Sequence, residues 1–316
     1  MSPSEKVRVI VVLAAVMAVY ISAAVILAGG LLRRIGRKPA PKRGAIRRWS
    51  RRAVLVLAVG GIGCAAYSYF IEPYRLAETH VLLTSEKLPG GSRAVRIVHI
   101  SDLHCDPKVR LEEMLPDVIA AMNPDVIVFT GDAVNSRDAL PIFKRCMKRL
   151  AQIAPTFAIE GNWDGLRALR WGLYGGTGVR LLEDEATTLK IGEAEICLIG
   201  ESLLPRKDRL AALRSAPPGA FKVVLHHYPN LIYEAAELKA DLYLAGHTHG
   251  GQVALPWYGA LVTLSRYGKR FESGLYHVQD TWMYVNRGIG MEGGPLPRVR
   301  FCARPEVTLI EVRPTE

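Results

Sequence analysis

Residues Asp241 to Gln252 read DLYLAGHTHGGQ: a short apolar run, Gly246, two imidazoles two positions apart at His247 and His249, then the paired glycines Gly250 and Gly251. The apolar run predicts a buried strand over Leu242 to Ala245, so both histidines fall just past its carboxyl end. Ligands of open α/β sheets bind along that edge. The motif therefore poses a question for the rest of the chain: whether other strands end on groups of the same chemistry, with Gly250 and Gly251 leaving room for a phosphate.

Four more do. Val95 to Ser101 is expected as a strand and ends in Asp102 and His104. Val126 to Thr130 runs into Gly131 and Asp132, Thr156 to Ile159 into Gly161, Asn162, Trp163 and Asp164, and Lys222 to Leu225 into His226 and His227. One strand-end aspartate is usually a helix cap, and one histidine is usually a core or surface residue. Five such sets in chain order point to a metal site.

Between the strands, apolar residues recur at helical spacing: Leu111, Leu115, Ile119 and Met122 within Leu111 to Met122, and Leu140, Phe143, Met147 and Leu150 within Asp138 to Ile153. Further helices are expected at Gly165 to Tyr174, Lys207 to Ser215 and Asn230 to Leu238, and further strands at His80 to Thr84, Glu195 to Ile199, Met283 to Val285 and Val307 to Val312. This alternation predicts one α/β domain of layered sheets over residues 95–316, joined by a connector at 72–94 to what precedes it.

What precedes it, residues 1–71, reads as a membrane hairpin. Val7 to Leu32 has only Arg8, Tyr20 and Ser22 as polar interruptions, Ala53 to Ile71 carries no charge, and each is long enough to cross a bilayer. Between them Arg33 to Arg52 holds ten Lys and Arg and no acid. With Glu5, Lys6 and Arg8 these account for the whole formal charge of +11, so the chain from Ala53 onward is neutral. The basic balance thus belongs to the hairpin and implies a membrane, not a nucleic acid. A short loop this basic stays in the cytoplasm, which predicts an extracytoplasmic domain. Ser50 to Leu55, SRRAVL, is a partial match to a twin-arginine export signal and agrees with that orientation. The five cysteines are odd in number and lack a C-x-x-C pair, and are expected as buried small residues.

The series D-x-H, G-D, G-N-x-D, H and G-H-x-H resembles the calcineurin-like metallophosphoesterases across Val95 to Val312. FIEP at Phe70 to Pro73, YGKRFESGLY at Tyr267 to Tyr276 and VNRGIG at Val285 to Gly290 resemble its membrane-associated YkuE and YaeI branch. The resemblance implies a four-layer α/β/β/α sandwich and two divalent ions, Mn, Fe or Zn. Asp102, His104 and His249 would hold one ion, Asp132 would bridge, and Asn162, His226 and His247 would hold the other. It also implies in-line attack of hydroxide on a phosphodiester or pyrophosphate, and the hairpin suggests that a lipid carries it. Related enzymes include the UDP-2,3-diacylglucosamine pyrophosphohydrolases of lipid A synthesis, whose site faces the cytoplasm.

Trp163 departs from the family, which has histidine there to assist the leaving group. Indole donates one hydrogen bond and supplies no proton near neutral pH. A leaving phosphate, with a second pKa near 6, needs no proton as an alkoxide does. Trp163 therefore favours pyrophosphate or aryl-type diesters, and it also keeps open an inactive scaffold. Other expectations are an apolar lip at Pro256 to Gly259, substrate contacts from Asn286, Arg287 and Gly288 or from Arg167 and Arg170, and an anchoring role for Asp164.

Overall fold

The computed structural model describes residues 1–37, 44–165, 171–204, 208–293 and 298–315. Two six-stranded sheets form its body. The first contains β1 (Ala77–Ser85), β2 (Val95–Ile100), β3 (Val126–Phe129), β4 (Thr156–Ala158), β5 (Arg180–Leu181) and β14 (Glu306–Pro314), in the order β1-β14-β2-β3-β4-β5. The second contains β6 (Glu185–Ile191), β7 (Ala194–Gly200), β8 (Phe221–Leu225), β9 (Leu242–Ala245), β12 (Gly274–Val278) and β13 (Thr281–Val285), in the order β12-β13-β9-β8-β7-β6. A small hairpin, β10 (Ala254–Leu255) with β11 (Gly259–Ala260), stands apart. The strand foreseen in the connector is β1, which pairs in parallel with β14 at the sheet's edge.

The pleat sorts each strand between two cores. Val95 and Ile97 of β2, Val126 and Val128 of β3, and Phe221, Val223 and Leu225 of β8 meet between the sheets. Their neighbours face outward: Val98, Ile100, Ile127 and Phe129 under α3 (Leu115–Ala121) and α4 (Leu140–Ile153), and Val224, Tyr243 and Met283 under α5 (Ala211–Arg214) and α6 (Ile232–Glu237). The result is the expected α/β/β/α sandwich. Leu111, Leu115, Ile119, Phe143, Met147 and Leu150 are buried as their spacing predicts, although the helix expected from Leu111 begins only at Leu115. Part of the helix expected over Gly165 to Tyr174, with Arg167 and Arg170, lies outside the described residues, as does Lys207.

Helices α1 (Pro3–Ile35) and α2 (Ala45–Phe70) are each long and apolar enough to cross a membrane and are almost bare of protein cover. They pack together where Tyr20 Oη donates to Ala58 O at 3.3 Å, a contact that needs Gly61, since a Cβ there would strike the phenol. Both helices touch the domain at the same end. Glu5 is buried, and its Oε2 accepts from Ser2 N in a capping box while Oε1 accepts from Thr263 N at 2.8 Å. Just past α2, the buried Glu72 Oε1 accepts from Ala303 N at 2.7 Å. Cys105, Cys146 and Cys197 are buried, but Cys64 on α2 and Cys302 in a loop are exposed, correcting that part of the cysteine reading.

Candidate metal centre

The site lies where β2, β3, β4, β8 and β9 end together. Asp102, His104, Asp132, His247 and His249 all have positive φ, between 36° and 68°, a backbone state uncommon outside glycine. The chain turns sharply past β2, β3 and β9 and drives these side chains toward one point. Such strain persists only where its surroundings hold it, and it gathers at functional sites. Gly246 is required here, because a Cβ would collide with Ser101 Oγ and the Asp102 carboxylate.

Two groups of ligand-type atoms result, one from Asp102, His104 and His249 and one from Asp102, Asp132 and His227, each with its atoms within 4.8 Å of one another. Asp132 Oδ2 lies 3.5 Å from His104 Nε2 and 3.2 Å from His227 Nε2, and Asn162 Oδ1 lies 3.0 Å from the latter. His249 Nε2 stands 3.4 Å from Asp102 Oδ1.

Supporting bonds fix which ring nitrogen each imidazole presents. His227 Nδ1 donates to Thr130 O at 2.6 Å and leaves Nε2 facing the cluster. His104 Nδ1 donates to Asn135 Oδ1 at 3.0 Å, again freeing Nε2. His247 Nε2 donates to Leu264 O at 3.3 Å and leaves Nδ1. The nitrogens thus left over, His104 Nε2 and His247 Nδ1, together with His249 Nε2, are buried without a hydrogen-bond partner. Buried polar atoms are seldom left so. Here they border carboxylate and amide oxygens that also only accept, and a cation satisfies all of them at once. The residues fit a divalent metal.

Electrostatics agree. Burial and the nearby Asp132 push the Asp102 carboxyl up, whereas Asp132, against the pull of burial, is held well below the usual range by His227 and His104. Burial alone would lower His227, but Asp132 and Asp102 raise it to about 10. Asp164 anchors the arrangement as expected: its carboxylate accepts from Asp132 N, Ala133 N and Gly161 N at 2.7 to 2.9 Å, and burial raises it to about 6. Trp163 N donates to Asp132 Oδ1 at 2.7 Å, and its ring stands edge-on to His104 at 5.6 Å.

Three expectations are corrected. His226 does not face the cluster. Residues 221, 223 and 225 point between the sheets, so 227 follows them and 226 turns to the outer layer, where its Nδ1 meets Glu201 O at 3.1 Å and its ring lies near Tyr243. On their side-chain faces Gly250 and Gly251 are demanded by protein packing and not by open space. Both have positive φ, and added Cβ atoms would crowd Arg287 and Ala260. Asn286 is buried against Thr308 and His99 O, Arg287 pairs with Glu306 at 3.0 Å, and Gly288 packs on Asp102, so this segment frames the site from behind.

Sequence reading missed Asn135, whose only mark is its place three residues past Asp132, and Tyr228, whose ring meets His247 edge-on at 4.1 Å. It also missed the buried Arg300, which donates to the carbonyls of Arg287, Gly288 and Ala303, lies 3.3 Å from His249 Nδ1 and is lowered by burial to about 9.

A family model described as calcineurin-like phosphoesterase matches residues 95–251. The chain is 32% identical to the uncharacterized metallophosphoesterase YkuE of Bacillus subtilis, over 85% of this chain and 100% of that one. It is 31% identical to the phosphodiesterase YaeI of Escherichia coli, over 69% of this chain and 82% of the other. To the UDP-2,3-diacylglucosamine pyrophosphatase LpxG of Chlamydia trachomatis it is 25% identical, over 76% and 90% of the two chains.

Proposed function

The chain belongs to the calcineurin-like metallophosphoesterases, and from that premise we propose that it is a membrane-anchored two-metal hydrolase of a lipid-borne phosphodiester or pyrophosphate. The observation that carries this reading is the convergence of electron-pair donors without donor hydrogens: His104 Nε2 and His247 Nδ1 beside the Asp102, Asp132 and Asn162 oxygens. Asp102, His104 and His249 would hold one ion, Asn162, His227 and His247 would hold the other, and Asp132 would be available to both. The mixture of hard oxygens with imidazoles and no thiolate suits Mn, Fe or Zn. Such ions, when bound, polarise a phosphoryl oxygen and bring the pKa of an attacking water toward neutrality.

The chain's own residues position and neutralise. Asp164 holds the Asp132 turn by three backbone bonds. Asn135, Thr130 and Leu264 fix the imidazole tautomers, as the outer partners of metal ligands do. Trp163 lends its backbone amide to Asp132 and places an indole beside His104, where it supplies no proton. That favours a leaving group stable as an anion.

The activity for which the LpxG relative is named, together with Trp163, supports a second reading, cleavage of UDP-2,3-diacylglucosamine itself. Turnover of bis(p-nitrophenyl) phosphate, with metal content measured in parallel, tests hydrolysis. The parent binds metal and turns the diester over, and Asp132→Ala loses about 100-fold or more in rate together with bound metal. A metal-loaded parent that cleaves neither this diester nor a lipid pyrophosphate leaves the inactive scaffold as the better account.

A further inference from the structure

The apolar run of α1 from Val7 to Leu32 covers 26 positions. At 1.5 Å per residue that is about 39 Å, roughly 9 Å longer than a bilayer's hydrocarbon core. The surplus, about six residues of helix, matches the stretch at the amino end that meets the catalytic domain. There Val7, Val11 and Val12 face Leu255, Tyr258 and Leu261 across an apolar groove of about 250 Å³. Arg8 stands at its rim, its guanidinium donating to Tyr258 Oη at 3.3 Å.

The hairpin β10–β11 that forms the far wall carries Trp257 at its tip, with φ +61° and its side chain wholly exposed. Tyr258 beside it is exposed as well. An indole held out in this way beside the end of a membrane-length helix matches the aromatic belt of membrane proteins, which sits at the headgroup level. The loop that follows the groove wall reaches the metal centre. Two residues past Leu261, Thr263 N and Oγ1 donate to Glu5 Oε1, and the next residue, Leu264, accepts from His247 through its carbonyl. One loop thus holds α1, walls the groove and orients a ligand.

We propose that this groove seats an acyl chain of the lipid that carries the substrate, with Trp257 and Tyr258 lodged in the bilayer interface and Arg8 at the mouth beside the phosphate. Three observations fix the occupant. The wall contributed by α1 belongs to a helix of membrane-spanning length, the lining is apolar, and Arg8 at the rim, with Lys269 over the Tyr258 ring at 4.4 Å, complements a phosphoester. The inference rests on the lipid-borne reading given above.

The test uses the full chain in phosphatidylcholine nanodiscs with p-nitrophenyl alkyl phosphodiesters from methyl to octyl. In the parent, KM falls by about two- to fourfold per methylene until the groove is filled. In Val11→Trp, which fills the groove from the helix side, that slope flattens when each protein is normalised to its own methyl ester. Partitioning into the disc is common to both proteins, so the difference in slope reports the groove. Equal slopes overturn the inference and leave hydrolysis standing, whereas failure to cleave even the methyl ester overturns the hydrolase reading. Discs made with lipids brominated near the headgroup give a second readout: they quench the parent more than Trp257→Phe if the tip is seated in the interface, and equal quenching overturns that seating.

Discussion

At the end of β8 two histidines stand side by side, and the pleat sends them to opposite faces of the sheet. His227→Ala is expected to lose one metal equivalent and about 100-fold or more in diesterase rate, whereas His226→Ala keeps both and costs stability only. Metal analysis with kinetics separates the two. The sequence hid this choice because β8 is covered on both sides. In FKVVL a strand buried on two faces shows no polar alternation from which to count parity. The aspartates, His104, Asn162 and the GHTHGG histidines were legible for the opposite reason, since each lies within a few residues of the end of an apolar run. Trp163 gives the second test at this scale. Restoring an acid with Trp163→His should raise the rate on alkyl diesters relative to pyrophosphates by about tenfold or more. Competition between the two substrates in one reaction reads that ratio, and an unchanged ratio removes indole from the account of specificity.

Among the elements, β2 carries the clearest pH dependence. His99 lies between the sheets, its Nε2 paired with Thr130 Oγ1 at 2.9 Å and its ring edge-on to Tyr284, and burial drops its pKa to about 3. A neutral histidine of this kind stabilises the fold fully above its unfolded pKa near 6.5. The contribution is lost as pH falls below that value, because only the unfolded chain takes up the proton. Between pH 6.5 and 5 the loss is about 2 kcal/mol. Urea unfolding across that range should show it in the parent, and His99→Leu should flatten the slope. Core helices and central strands were readable from apolar spacing, because burial of one face or of whole runs imposes it. β6 and β12 were not. Both are edge strands at which exposed and half-buried positions mix, and β5 is too short to carry a pattern.

In the whole molecule, α1 and α2 meet the domain at one end, and Arg33, Arg34, Arg47 and Arg48 lie toward the other. A membrane crossed by both helices would put these basic residues and the metal centre in different compartments. The positive-inside rule then predicts an extracytoplasmic site. An alkaline phosphatase reporter fused after β14 should be active and a fluorescent protein there dark, whereas the reverse pattern moves the site to the cytoplasm and favours the nucleotide-linked substrate. The order of the first sheet adds a consequence for assembly. β14 sits between β1 and β2, and Arg96 on β2 pairs with Glu311 on β14 across 215 residues of chain. Until that late strand slots in, β1 and β2 have no common partner and the cradle at the end of β2 has an open flank. The sheet that carries Asp102 and His104 is thus complete only with β14 in place, and the strand farthest along the chain supplies the second neighbour of β2.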